Sequence, residues 1–217
     1  MPLPLDPSLP RSLYPLAWLI GSWDGHGALP LHDPDGQRSE RLLEQSLQCV
    51  AQDDGTMAWT CLSHAVDAPA PLPPTSAFAR PETAPSPHPG TGERTLLLRE
   101  RGVWTVGDPL PGQDLEAARA AKPGEAAGVI SFGVQARFEA DGVRTVWDGE
   151  ARGPRIRLVL RDETGRVEAT RLFGTVAGRL MWLWERRALD APDVESSGEA
   201  TDENDLVPYM SVELDRA

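Results

Sequence analysis

The sequence predicts an all-β protein, a single antiparallel up-and-down β-barrel of about ten strands with a short helical turn near the N-terminus. Two observations carry this expectation. Strand-length segments follow one another through short turns, and the stretch Leu19–Gly27 (LIGSWDGHG) sets Gly21, Trp23, Gly25 and Gly27 at alternate positions. In an extended strand those four residues share one face. A nearly bare face marks a sharp bend or a place where another backbone or a ligand comes close, and at the closed end of a barrel Trp23 would fill the base.

The elements follow in order. Pro15–Ile20 (PLAWLI) is short and apolar, as expected of one helical turn capping that end. Arg41–Val50 and Met57–Val66 are joined by AQDDGT, whose Asp54-Gly55 signals a hairpin. Thr95–Arg99 and Val103–Val106 flank Arg101-Gly102, which reads as another tight turn. Val129–Glu139 meets Val143–Ala151 across Asp141-Gly142, and DETG separates Arg155–Arg161 from Val167–Gly174. Leu180–Arg186 follows Gly178, and Val207–Leu214 is the closing strand. Short turns imply antiparallel neighbours, and a meander of this length closes into a barrel without exposed edges.

Three breaks interrupt the pattern. Residues 68–92 are dense in proline, residues 107–128 contain one plausible helix at Leu115–Ala121, and residues 190–205 are acidic without a lysine or arginine. They read as flexible insertions in one domain spanning residues 1–217. The formal net charge of −12 argues against nucleic acid or an anionic membrane as partner, because both require a basic face. The opening MPLPLDPSLP lacks the basic region and apolar run of a secretion signal, so a cytoplasmic location is expected. Cys49 and Cys61 then read as small buried hydrophobes.

GSWDGHG, Gly21–Gly27, resembles the G-x-W-x-G-x-G signature of the nitrobindins, small barrels of the calycin type related in shape to fatty-acid-binding proteins and lipocalins. RERGVW (Arg99–Trp104), VWDGEARGPRIRLVL (Val146–Leu160), RLFGTVAGRLMWLWERRA (Arg171–Ala188) and LVPYMSVELDRA (Leu206–Ala217) are similar to later segments of that family, in the same order. The resemblance implies a barrel that holds haem b at its open end, keeps the iron ferric, binds nitric oxide and isomerises peroxynitrite to nitrate. The family's axial histidine lies in the closing strand in a Pro-His-hydrophobe-Ser setting. This chain reads Pro208-Tyr209-Met210-Ser211, which puts Tyr209 at the ligand position. The family's Tyr-Pro-Thr is also unmatched, since Pro30 is followed by Leu31. The likeness is therefore to ferric nitrobindin-like proteins that keep the barrel without the axial histidine. It implies a peroxynitrite isomerase activity weakened or lost, with haem b as the one cofactor and no catalytic residue assigned.

Tyrosine ligates ferric haem as the phenolate. A free phenol has a pKa of about 10, so ligation needs the iron, a nearby cation or both, and Arg186, Arg187 and Arg216 are the candidates for that cation. The alternative is a rim aromatic with its hydroxyl in water. His26 lies opposite the glycine face and reads as a surface residue, while His64, at the end of a strand, reads as a partly buried histidine within reach of a pocket. His32 and His88 sit among turn residues, and no pair of histidines has metal-ligand spacing on one element. Trp182 and Trp184 share a strand face and suit either core or a flat ligand, and Asp148 and Glu150 suit a solvated face. Three functions stand open: a modified haem protein, Tyr-ligated or nearly inactive; a carrier of another apolar small molecule in the barrel cavity, as in fatty-acid-binding proteins; and a scaffold for protein contacts. The oligomeric state, homodimer included, is left open.

Overall fold

The structure is a computed structural model that describes residues 8–32, 38–70, 90–122, 125, 128–187 and 205–217. Ten strands run antiparallel in sequence order: β1 Gly21–His32, β2 Arg38–Ala51, β3 Met57–Pro69, β4 Arg94–Pro109, β5 Ser131–Ala140, β6 Val143–Arg152, β7 Arg155–Arg161, β8 Val167–Val176, β9 Arg179–Arg187 and β10 Leu206–Arg216. Each pairs with its neighbours in the chain, and β1 pairs with β10 to close the barrel. The glycine turns lie where they are expected: Gly55, Gly142, Gly165 and Gly178 all adopt positive φ, and Asp141 does so ahead of Gly142.

The structure corrects one expected turn. Arg101-Gly102 lies inside the continuous strand β4. Gly102 is needed there for space, because a Cβ on it would stand 2.5 Å from Phe138 Cδ1 and 2.8 Å from the Arg137 carbonyl oxygen. Two short expected strands are thus one long one, which is why the count comes to ten.

The helical turn is also displaced. A 3₁₀ helix spans Arg11–Leu16 rather than Pro15–Ile20, and the three-residue spacing of Leu13 and Leu16 puts both on the buried side of a three-residue turn. It closes one end together with Trp23, whose Nε1 donates to the Leu19 carbonyl at 2.8 Å. Arg216 at the end of β10 lies 4.5 Å over the Trp23 ring and donates to the carbonyls of Ile20 and Trp18. The bare face of β1 is explained by its partner strand. A Cβ on Gly25 or Gly27 would overlap the Glu213 or Ser211 carbonyl oxygen of β10, so β1 crosses its neighbour at a distance that only glycine allows.

β3 extends to Pro69, and Asp67 holds the far side of the break by accepting from the Thr91 amide and hydroxyl. β4 extends to Pro109, and the helix α1, Leu115–Ala120, is capped by Asp114, which accepts from the amides of Glu116 and Ala117. Gln113 ties that segment to β5 by donating to the Ser131 carbonyl and accepting from its amide. The rest of the first insertion (71–89, with His88) and residues 190–204 of the third lie outside the described residues, as does the side chain of His32. No helix among the described residues is long and apolar enough to cross a membrane.

Candidate site at the open end of the barrel

The inward register of β8 and β9 leads to the candidate site. Paired positions share a face, and Trp182 stands opposite Phe173, Trp184 opposite Arg171 and Arg186 opposite Ala169. The bore is filled. Arg171 meets Glu100 of β4 in a bidentate pair with both bonds at 2.8 Å, and their side chains are 1% and 3% exposed. Trp59 Nε1 donates to the same carboxylate at 3.0 Å. The Arg171 guanidinium lies 4.0 Å from the Trp184 ring centre, 4.6 Å from Trp147 and 4.5 Å from Phe138, so aromatic faces surround the cation. Deeper in, Gln45 accepts from Trp182 Nε1 at 2.6 Å and donates to Ser63 Oγ at 2.6 Å and Cys61 Sγ at 3.2 Å.

Burial pushes the Cys61 thiol up to about 12, reinforced by the Glu100 charge, and pushes Cys49 up further, reinforced by Cys61. Both cysteines are free and buried. Between the ordinary thiol range and these raised values the folded chain holds protons that the unfolded chain releases, so this contribution to stability is complete below about pH 9 and is lost as the pH rises toward 12. At pH 8 an aromatic disulfide reagent is expected to modify neither thiol in the native protein and both in denaturant; rapid native labelling would contradict this packing.

β10 presents Tyr209 at the end opposite the 3₁₀ helix. Glu185 pairs with Pro208 and Trp184 with Met210, which leaves Tyr209 as an extra residue in a β-bulge. Strict alternation would send Tyr209 outward with Ser211. The bulge instead turns its ring edge-on to Trp184, with 5.0 Å between centroids, while Met210 remains fully buried. Of the three candidate cations, Arg186 is the one placed beside Tyr209, with its guanidinium 4.2 Å from the ring centre. Arg187 is bound to Asp205 and the Val167 carbonyl, and Arg216 lies at the closed end.

The other candidates are not gathered here. His26 is exposed, and His64 is half-buried opposite Glu44, in the register that alternates with the buried Cys61 and Ser63. Asp148 is exposed and accepts from Gln135, and Glu150 is half-buried on the same outer face. Among the described residues no group of three or more His, Cys, Asp and Glu is placed to hold a metal ion. Glu100, Arg171 and Gln45 were not anticipated, although a signal exists for the first two: each is a charge in a register that is otherwise apolar, Leu98-x-Glu100-x-Gly102-x-Trp104 on one strand and Ala169-x-Arg171-x-Phe173 on another.

A family model described as a THAP4-like, heme-binding beta-barrel domain matches residues 12–216. The chain belongs to this family. A peroxynitrite isomerase of Leifsonia xyli subsp. xyli is 29% identical over 213 residues, which cover 86% of this chain and 90% of that protein. A ferric nitrobindin-like protein of Cutibacterium acnes is 28% identical over 228 residues and covers all of both chains. The crystal structure of Rv2717c from M. tuberculosis is similar in fold, with a TM-score of 0.51 at 16% identity over 96% of this chain and 99% of that one. The side chains gathered at the end opposite the 3₁₀ helix suit the donor chemistry of haem: a phenol oxygen for ferric iron, aromatic rings, and a Trp184 Nε1 with no acceptor among the described residues.

Proposed function

We propose that the open end of this barrel holds a planar ferric macrocycle of the haem class on Tyr209, and that peroxynitrite isomerisation is weakened or lost in this chain. The observation that carries the reading is the bulge at Tyr209, which turns the phenol away from the outer register toward Trp184 and beneath Arg186. Because the bore is occupied by Trp182, Trp184 and the Arg171–Glu100 pair, the ligand would lie across the mouth rather than within. When bound, haem supplies a ferric Lewis acid. With the group bound, Tyr209 Oη would hold the iron as the phenolate, its proton passing to solvent, with Arg186 the cation beside the ring and Trp184 the aromatic surface next to it. A phenolate donates more charge than imidazole and favours the ferric state, a change of ligand consistent with altered activity. The two unbridged cysteines support a cytoplasmic location, and the match over residues 12–216 supports one domain.

A haemin titration followed by absorption tests this. The native chain is expected to bind stoichiometrically with a tyrosinate-type spectrum, Tyr209→Phe to lose about tenfold or more in affinity, and Tyr209→His to move the Soret band to that of an imidazole adduct. Equal binding by native protein and the Phe variant would remove Tyr209 from the site.

A second reading, a carrier of an apolar molecule, is favoured by a cleft of about 710 Å³ on the outer face, where Leu172, Met181 and Leu183 meet Gly25 and Gly27. An apolar dye that binds unchanged in the presence of haemin and in Tyr209→Phe would favour it.

A further inference from the structure

We propose that Arg186 is a carboxylate-reading residue, so that a ligand admitted at the open end must carry an anionic arm beside its apolar plane. The inference rests on the open-end reading for where the ligand lies, and is independent of iron ligation. Arg186 continues the inward register of Leu180, Trp182 and Trp184 and stands opposite the buried Ala169. Its guanidinium lies over the Tyr209 ring, 4.2 Å from its centre and 6.0 Å from that of Trp184, and it is half-buried.

Register and charge together distinguish it. Arg187 is matched by Asp205, Arg41 by Asp67 and Arg94 by Glu44, while Arg161 is exposed and donates to the Gly165 carbonyl. The Arg171 cation beneath is cancelled by Glu100. Arg186 forms no ion pair with a carboxylate among the described residues, in a chain with 33 acidic and 21 basic side chains. An inward arginine with no carboxylate partner among the described residues is suited to an anion brought by the ligand. Stacking on an aromatic ring occupies the flat face of a guanidinium and leaves its edge N–H groups free, and those groups match the two oxygens of a carboxylate.

The probes are iron-free protoporphyrin IX, with two carboxylates, and its dimethyl ester, titrated into the intact chain and followed by quenching of tryptophan fluorescence. Native protein is expected to prefer the acid, and Arg186→Met to reduce the acid-to-ester affinity ratio about tenfold or more, the scale of one charge-assisted bond. Arg186→Lys is expected to keep part of the preference. Comparing ratios between variants removes solubility differences between the porphyrins, and a cooperative thermal transition establishes that each variant is folded. An undiminished ratio in Arg186→Met, or no discrimination by native protein, overturns the assignment while leaving the open-end site standing. Failure of both porphyrins to bind overturns this inference, while the haemin titration decides the open-end reading separately.

Discussion

Arg171→Met, with Glu100 left in place, is expected to cost about 3–5 kcal/mol of folding stability, measured by urea denaturation. The pair lies in the middle of the bore, both side chains almost fully excluded from water, and each of its two bonds measures 2.8 Å. Removing the guanidinium leaves a carboxylate whose remaining donor is the Trp59 indole, and it empties the space between Phe138, Trp147 and Trp184. The double variant Glu100→Leu/Arg171→Met provides the decisive comparison. Two charges taken from water gain little over apolar groups of similar size, so it is expected to recover most of the loss. A double variant as unstable as the single one would mean that the pair's shape, not its charge, holds the bore together. Because Arg171 supports Trp184, the single variant is also expected to disturb the near-ultraviolet circular dichroism of the tryptophans.

Gly27→Ala is expected to destabilise by about 3 kcal/mol or more. Its Cβ would overlap the Ser211 carbonyl oxygen and stand 2.9 Å from Val212 Cα. Both are backbone atoms of β10, so no rotamer change relieves the clash, and the strands must part along the seam. Gly174→Ala is the control, since its Cβ would meet only the Pro154 carbonyl oxygen at 3.6 Å, and a change within about 1 kcal/mol is expected. Equal effects at the two positions, read from thermal midpoints, would show that β1 and β10 can separate at little cost.

The barrel was legible because its signals are local. Alternation marks strand faces, Asp54-Gly55 and Asp141-Gly142 mark hairpins, and the glycine face of β1 announces a close neighbour, which proves to be the backbone of β10 rather than a ligand. The Glu100–Arg171 pair was missed for a related reason. An expected turn at Arg101-Gly102 takes Glu100 out of the strand, so its place in the apolar register of Leu98 and Trp104 goes unseen. Gly102 instead serves Phe138 on the next strand, a tertiary demand that no local pattern carries. At Tyr209 alternation points the wrong way. The bulge reverses the side chain, and Pro208, which cannot donate to the ladder, is the one local hint. The candidate position rests on the resemblance of the closing strand, and geometry brings one of the three candidate arginines, Arg186, beside it.

The seam between β1 and β10 also governs the order in which the molecule can be assembled. Arg216 reaches the Ile20 carbonyl across 196 positions of sequence, and every other strand pair joins consecutive strands. Local hairpins can therefore form as the chain emerges from the ribosome, but the cylinder exists only after the last strand has been made, and its closure carries the entropy of the longest loop. Until then β1 and β9 present unpaired edges to neighbouring chains. The glycines of β1 thus sit on the strand that waits longest for its partner, and the final docking of β10 separates a sheet prone to associate from a closed barrel.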